Sequence, residues 1–260
     1  MRITYLFFVC WQEKHMRVKE KVENIDYTET KEFFKHRAGK FREDNPYSVT
    51  MYQDHNEKLV RDRNQKEVER LKPLLELGKQ SRVLDVGCGI GRWGDAITEE
   101  IEEYCGLDFS SELIKIAQKR TKKENYFFCE GPITELEKVL LRNNKGKYNV
   151  ALLVGILMYV NDEDMELLLE QLEHRCMEHA TICIREPIGL GERLTLKDFF
   201  SEDLNDNYNA IYRTRDELAG FFQKGLLNKG FKIAKEGFLF QETNLNNRKV
   251  IMQYYFLLRR

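Results

Sequence analysis

Apolar and polar positions follow two periods along this chain. From about residue 81, short apolar runs recur between longer stretches with helical spacing. Arg82–Val86 predicts a buried strand, followed by a helix over Arg92–Ile101, a strand over Glu103–Asp108, a helix over Ser111–Lys119 and a strand over Tyr126–Cys129. Helix Ile133–Leu141, strand Tyr148–Val154, helix Asp162–Cys176 and strand Ala180–Arg185 continue the series. Strands alternating with helices give a parallel sheet with helices on both faces, and ligands bind at the carboxyl ends of its strands. Two late strands, Phe231–Phe240 and Lys249–Leu258, flank the polar turn Asn244–Arg248 and predict an antiparallel hairpin.

Residues 16–77 carry no strand pattern and read as helical. Thr28 is placed as N-cap of a helix over Tyr27–Ala38 that Gly39 stops, and Asn45-Pro46-Tyr47 predicts a turn. Asn56–Leu77 sets Leu59, Val60, Arg63, Val68, Leu71, Leu74 and Leu75 near one stripe, and Pro73 kinks or restarts that helix. Thr214 with Glu217 forms a capping box for a helix to about Asn228. The expected organisation is a helical extension over 1–76 and an α/β domain over 77–260, with an insertion at 188–212.

Charge narrows the partners. Lysine plus arginine (42) nearly balances aspartate plus glutamate (43), so no overall field attracts nucleic acid or an anionic membrane. Six cysteines lack C-x-x-C spacing, and those at 88, 105, 129 and 183 fall on or beside apolar runs. That pattern predicts reduced core thiols of a cytoplasmic protein and no metal site. Ile3–Trp11 is apolar but too short to span a bilayer and has only Arg2 before it. Either translation starts at Met16, or this stretch is an element that covers the core.

The candidate chemistry sits on Ser81-Arg-Val-Leu-Asp-Val-Gly-Cys-Gly-Ile-Gly-Arg-Trp-Gly94. Glycines after a strand turn the chain sharply into a helix and let a ligand approach the main chain. Gly89–Gly94 formally matches the dinucleotide fingerprint G-x-G-x-x-G, a weak signal by itself. Asp85 discriminates: a carboxylate beside the turn repels a pyrophosphate but suits a cofactor with a cationic amino-acid tail. Asp108 ends the next strand about 20 residues on, the spacing for gripping ribose hydroxyls.

Val83-Leu-Asp-Val-Gly-Cys-Gly-Ile-Gly91 followed by Gly106-Leu-Asp108 resembles the class I S-adenosylmethionine (SAM)-dependent methyltransferases, over roughly Leu77 to the end. The resemblance implies a Rossmann-like, seven-stranded, mostly parallel sheet with helices on both faces and an N-terminal helical lid. It also implies that Asp85, Gly87, Cys88, Gly89 and Gly91 hold the methionine portion of the cofactor, and Asp108 with Phe109 the ribose. Family members often carry Gly-Asp where this chain has Gly131-Pro132, so the acid for the adenine amino group is missing; Glu130 is the nearest carboxylate and Ile133 can pack on the purine. Val154 and Gly155 would border the sulfonium, and Tyr159 replaces a frequent histidine.

By the same resemblance, the lid residues Tyr27, Phe33, Phe34, His36, Arg37, Tyr47 and Tyr52 line or close the pocket, although this set can equally pack the helices on the core. Arg185, Tyr212 and Arg213 stand at the acceptor edge, where arginine binds phosphate or carboxylate bidentately. Glu186 and Tyr159 are the candidate bases, ahead of His55 and His36. The aromatic lid with Tyr212-Arg213 resembles small-molecule enzymes of bacterial sugar and surface-polysaccharide pathways. A protein or peptide methyltransferase and a non-catalytic SAM-binding subunit are the alternatives. The N-terminal helices can cover the active site or a second copy in a homodimer.

Overall fold

The computed structural model describes residues 16–51, 55–202, 204–246 and 250–260; Ile3–Trp11 and Tyr52 lie outside them. In chain order the strands are β1 (Met16–Lys19), β2 (Arg82–Val86), β3 (Glu103–Asp108), β4 (Tyr126–Glu130), β5 (Tyr148–Val154), β6 (Cys176–Gly189), β7 (Leu194–Ser201), β8 (Asp206–Tyr212), β9 (Lys232–Phe238) and β10 (Ile251–Arg259). The α-helices are α1 (Tyr27–Gly39), α2 (Ser48–Met51), α3 (Glu57–Leu71), α4 (Arg92–Ala96), α5 (Ser111–Arg120), α6 (Leu136–Arg142), α7 (Asp162–His174) and α8 (Arg215–Gly225).

Seven strands form one sheet in the order β4-β3-β2-β5-β6-β10-β9. The first five are parallel, and β10 runs antiparallel to both β6 and β9. This is the Rossmann-like architecture expected. The chain crosses from the β3 side of β2 to its β5 side, so the order reverses at β2, where open α/β sheets bind ligands. In register, Asp108 pairs with Glu130 and Val154 with Arg185, which brings those residues together at the carboxyl ends of the strands.

Alternation along the central strands feeds two cores. Leu84, Val86, Leu107, Leu153 and Ile184 face one core with residues of α1 and α5–α8. Val83, Tyr104, Leu152 and Cys183 face the other, with Leu71 of α3 and Trp93 of α4. A period of two sorts side chains to opposite faces, and here both faces are covered. Cys88, Cys105, Cys129, Cys176 and Cys183 are buried free thiols, and burial pushes Cys176 and Cys183 up to about 12. No helix among the described residues is long and apolar enough to cross a membrane.

The structure corrects several expectations. Residues 16–77 are not wholly helical, because Met16–Lys19 is a strand. It pairs antiparallel with β7, which pairs with β8, so the insertion forms a three-stranded sheet with β1. The N-cap of α1 is Asp26, not Thr28: its Oδ1 accepts the N–H groups of Thr28 (2.6 Å) and Glu29 (3.2 Å). α4 ends at Ala96 and not at Ile101, because Ile97 turns extended after a helix already weakened by Gly94. α3 ends at Leu71, and a 3-10 turn, Lys72–Leu75, carries Pro73.

Candidate active site

The turn after β2 is built on backbone geometry. Gly87 and Gly89 adopt φ of +74° and +55°, in the left-handed region that side chains disfavour. Gly87 N–H and Cys88 N–H both donate to the Leu107 carbonyl at 2.7 and 3.0 Å, which ties the turn to β3. A Cβ on Gly87 would lie 2.6 Å from Ile156 Cδ1, and one on Gly89 would lie 2.9 Å from Thr50 Cγ2. The loop after β5 and the short helix α2 therefore lie directly against the turn.

Two buried carboxylates flank it. Asp85, 2% exposed, accepts a 2.6 Å hydrogen bond from Tyr104 OH. Burial raises its pKa to about 6 against the pull of that bond and of Arg92. Asp108 accepts Gly89 N–H and Ser110 N–H, both at 2.9 Å. Burial raises it also to about 6, against the backbone N–H groups.

A cavity of about 150 Å³ opens on this end of the sheet. Asp85, Gly87, Cys88, Val154, Gly155, Arg185 and Tyr212, each expected at the site, line it. Thr50 and Met51 of α2 and Leu204 and Tyr208 of the insertion contribute further walls. Gly89, Gly91, Asp108, Phe109, Glu130, Gly131 and Ile133 do not line this cavity. Phe34 packs edge-on against Phe109 (ring centroids 5.5 Å apart) and Tyr159 (5.1 Å), so α1 covers that side. Glu130 itself is exposed.

Several residues expected to bind or react do other work. Tyr27 donates to Asp164 at 2.5 Å and accepts Asn161 N–H at 2.9 Å, joining α1 to α7. Arg37 donates to the Ser48 and Val49 carbonyls, joining α1 to α2. Tyr47 donates to Asp95 at 3.1 Å. Arg213 is turned into the loop after β5 and onto Asp162. Glu186 accepts three backbone N–H groups, from Ile156 (2.8 Å), Leu157 (2.9 Å) and Met158 (3.2 Å). Glu186 does not line the cavity, so the structure does not present it to an acceptor as the expected base. Tyr159, the other expected base, lies outside the cavity lining, and His36 and His55 are exposed.

Glu67 belongs to the site although no motif in the sequence marks it. On α3, and 1% exposed, it bridges Arg92 Nη2 (2.5 Å) and Arg185 Nη2 (2.7 Å) in the cavity wall. Asn64 accepts from Arg92 at 2.9 Å and Gln253 from Arg185 at 3.1 Å. Burial works to raise Glu67, but the two guanidiniums outweigh it and hold the carboxyl below its usual range. Its signal was present: Val60, Glu67 and Leu71 fall on one buried helix face, and a carboxylate there needs a partner.

Residues 83–178 match the family model described as "Methyltransferase domain". That match runs from β2 into the start of β6, across the glycine turn and both acidic strand tips. No curated protein matches this sequence. Among solved structures, 1104 chains resemble it. A SAM-dependent methyltransferase of Leishmania major has 16% identity and a TM-score of 0.58, with 86% of this chain and 82% of that chain covered. Phosphoethanolamine N-methyltransferase 1 of Haemonchus contortus, in complex with phosphoethanolamine and S-adenosylhomocysteine, has 18% identity and a TM-score of 0.64, covering 90% of this chain and 50% of that chain. Magnesium protoporphyrin IX methyltransferase of Synechocystis, with bound SAM, has 14% identity and a TM-score of 0.55, covering 88% and 90%. At these identities the likeness is one of fold.

Proposed function

We propose that this chain binds SAM across the carboxyl ends of β2, β3 and β5 and transfers its methyl group to a small-molecule acceptor carrying an anionic group. The observation that carries this reading is the cavity that joins Asp85 and the glycine turn to Gly155 and Arg185. Asp85 matches the cofactor's ammonium, and Arg92 and Arg185 match a carboxylate. Asp108, on the neighbouring strand tip, matches ribose hydroxyls.

The chemistry asks mainly for alignment. The acceptor's lone pair forms a bond to the methyl carbon as the carbon–sulfur bond breaks, leaving S-adenosylhomocysteine and, from an O–H or N–H acceptor, a proton for solvent or a base. Holding the two reactants in line supplies several kcal/mol of the barrier. Val154, Gly155, Met158, Tyr208 and Tyr212 are among the side chains and backbone that line the cavity where that approach would occur.

Arg63 and Arg185 line the cavity, where an anionic acceptor would compete with the Leu245 carbonyl for Arg63 and with Glu67 and Gln253 for Arg185, and phosphorylated or nucleotide-linked sugars are the class to try first. The sugar-pathway subclass loses one supporting residue, because Arg213 is bonded elsewhere. The Haemonchus neighbour, crystallised with a phosphorylated small molecule, supports the anionic class. The test is methyl transfer from radiolabelled SAM to a panel of nucleotide sugars, sugar phosphates, their neutral counterparts and peptides. Labelling confined to phosphorylated members supports the reading; labelling of peptides alone would overturn it.

A further inference from the structure

The loop from Gly155 to Val160 leaves β5 and carries Gly155 and Met158 into the cavity wall. It contains only one short 3-10 turn, Leu157–Tyr159, so most of its peptide groups need partners from outside. Two charged side chains supply them. Glu186, 2% exposed, takes the N–H groups of Ile156 and Leu157 on Oε1 and that of Met158 on Oε2. Arg213, 1% exposed, gives Nη1 to the Leu157 carbonyl (2.8 Å) and Nη2 to the Val160 carbonyl (2.6 Å).

The charges are matched to the peptide dipoles, a carboxylate on N–H groups and a guanidinium on carbonyls. Such charge-assisted bonds are the stronger kind. The clamp also reaches the small sheet. Arg213 Nε donates to Asp162 at 2.9 Å, and Arg193, just before β7, donates to the same carboxylate at 2.8 and 3.0 Å. The arginines that open and close the β7–β8 hairpin thus meet on the residue that begins α7. Gly155 itself sits at φ +71°, and a Cβ there would lie 3.1 Å from Arg185 Nη1, so the turn into the loop requires a glycine.

We infer that Glu186 and Arg213 are positioning residues for methyl transfer: they fix the 155–160 loop as a preformed wall of the cofactor and acceptor cavity and tie it to the β7–β8 hairpin. The role rests on the proposed SAM site, and neither side chain exchanges a proton with the substrate. Glu186→Gln keeps the shape but offers one acceptor oxygen where the carboxylate offered two, and turns an NH2 toward a backbone N–H. Arg213→Lys replaces a two-pronged donor by a single ammonium.

The experiment pairs amide hydrogen exchange with calorimetric titration of S-adenosylhomocysteine into the full chain. For Glu186→Gln we expect exchange at Ile156, Leu157 and Met158 at least about tenfold faster, β2 unchanged, and about tenfold weaker binding. Arg213→Lys should weaken binding similarly. Thr214→Ala, which removes a helix cap without touching the loop, should lower Tm and leave both readouts as in wild type. Faster loop exchange with unchanged affinity overturns the positioning role, as does unchanged exchange in Glu186→Gln. Should wild type itself bind no S-adenosylhomocysteine, the SAM reading fails instead, and the exchange data still decide whether the clamp exists. If Arg213→Lys fails to fold, Glu186→Gln carries the test.

Discussion

Glu67 shows how one residue can decide a site without any sequence motif around it. Its carboxylate lies between Arg92 and Arg185 in the cavity wall, away from water. Removing one member of a buried charge cluster leaves the others uncompensated, at a cost of about 3–5 kcal/mol. Glu67→Gln, which keeps the shape, should therefore destabilise the chain by several kcal/mol in denaturant titration; a loss below about 1 kcal/mol would contradict the bridge. Asp85 predicts the opposite trend. Its folded pKa of about 6 lies above the ordinary 3.8, so the folded state binds the proton more tightly than the unfolded one. Stability from this group is present below about pH 4 and is lost as pH rises to about 6. Asp85→Asn should thus gain stability relative to wild type between pH 4 and 6, then level off at a gain on the order of 1–3 kcal/mol. Urea titrations at pH 4, 5, 6 and 8 check this, and a difference that does not change with pH would contradict it. The same variant should lose SAM affinity, because the charge that destabilises the fold is the one offered to the cofactor. Asp85 was legible in the sequence because a strand, a carboxylate and a glycine turn are neighbours in the chain. The work of Glu186 and Arg213 was not, because their partners are peptide groups that only the folded loop presents.

At the scale of elements, local signals predicted local structure well. β2–β5 and the antiparallel pair β9–β10 lie where apolar runs placed them, and the Thr214–Glu217 capping box is present with both reciprocal bonds. Thr214→Ala should cost about 1 kcal/mol of stability, read as a shift in the urea midpoint; a null effect would mean that Glu217 alone satisfies the helix start. What failed was pairing over long separations. β1 finds its partner β7 across most of the chain, with Arg17 opposite Leu196 and Val18 opposite Thr195. Four residues carry too little pattern to announce a strand, and nothing in their own sequence names that partner. The same holds for the insertion, whose strands become visible only once they cover Tyr208 and Tyr212 against the site. Helix boundaries erred where one residue decides them, as Asp26 does for α1 and Ile97 for α4.

For the whole molecule, the sheet order brings the glycine turn, two acidic strand tips and two guanidiniums to one end, while α1, α2 and the β1-β7-β8 sheet cover that end. The cavity of about 150 Å³ is smaller than the roughly 300–1,000 Å³ of ordinary ligand pockets. Phe34 of α1 packs against Phe109 and Tyr159, and Thr50 of α2 lies over Gly89. Whether this end of the sheet holds SAM is decided by calorimetric titration of SAM, S-adenosylhomocysteine and NAD into wild type and Asp108→Ala. Saturable binding of both adenosyl compounds is expected, about 10–100-fold weaker in Asp108→Ala, with none for NAD. Binding of NAD in place of the adenosyl compounds, or adenosyl binding indifferent to Asp108, would contradict a SAM site at this end of the sheet.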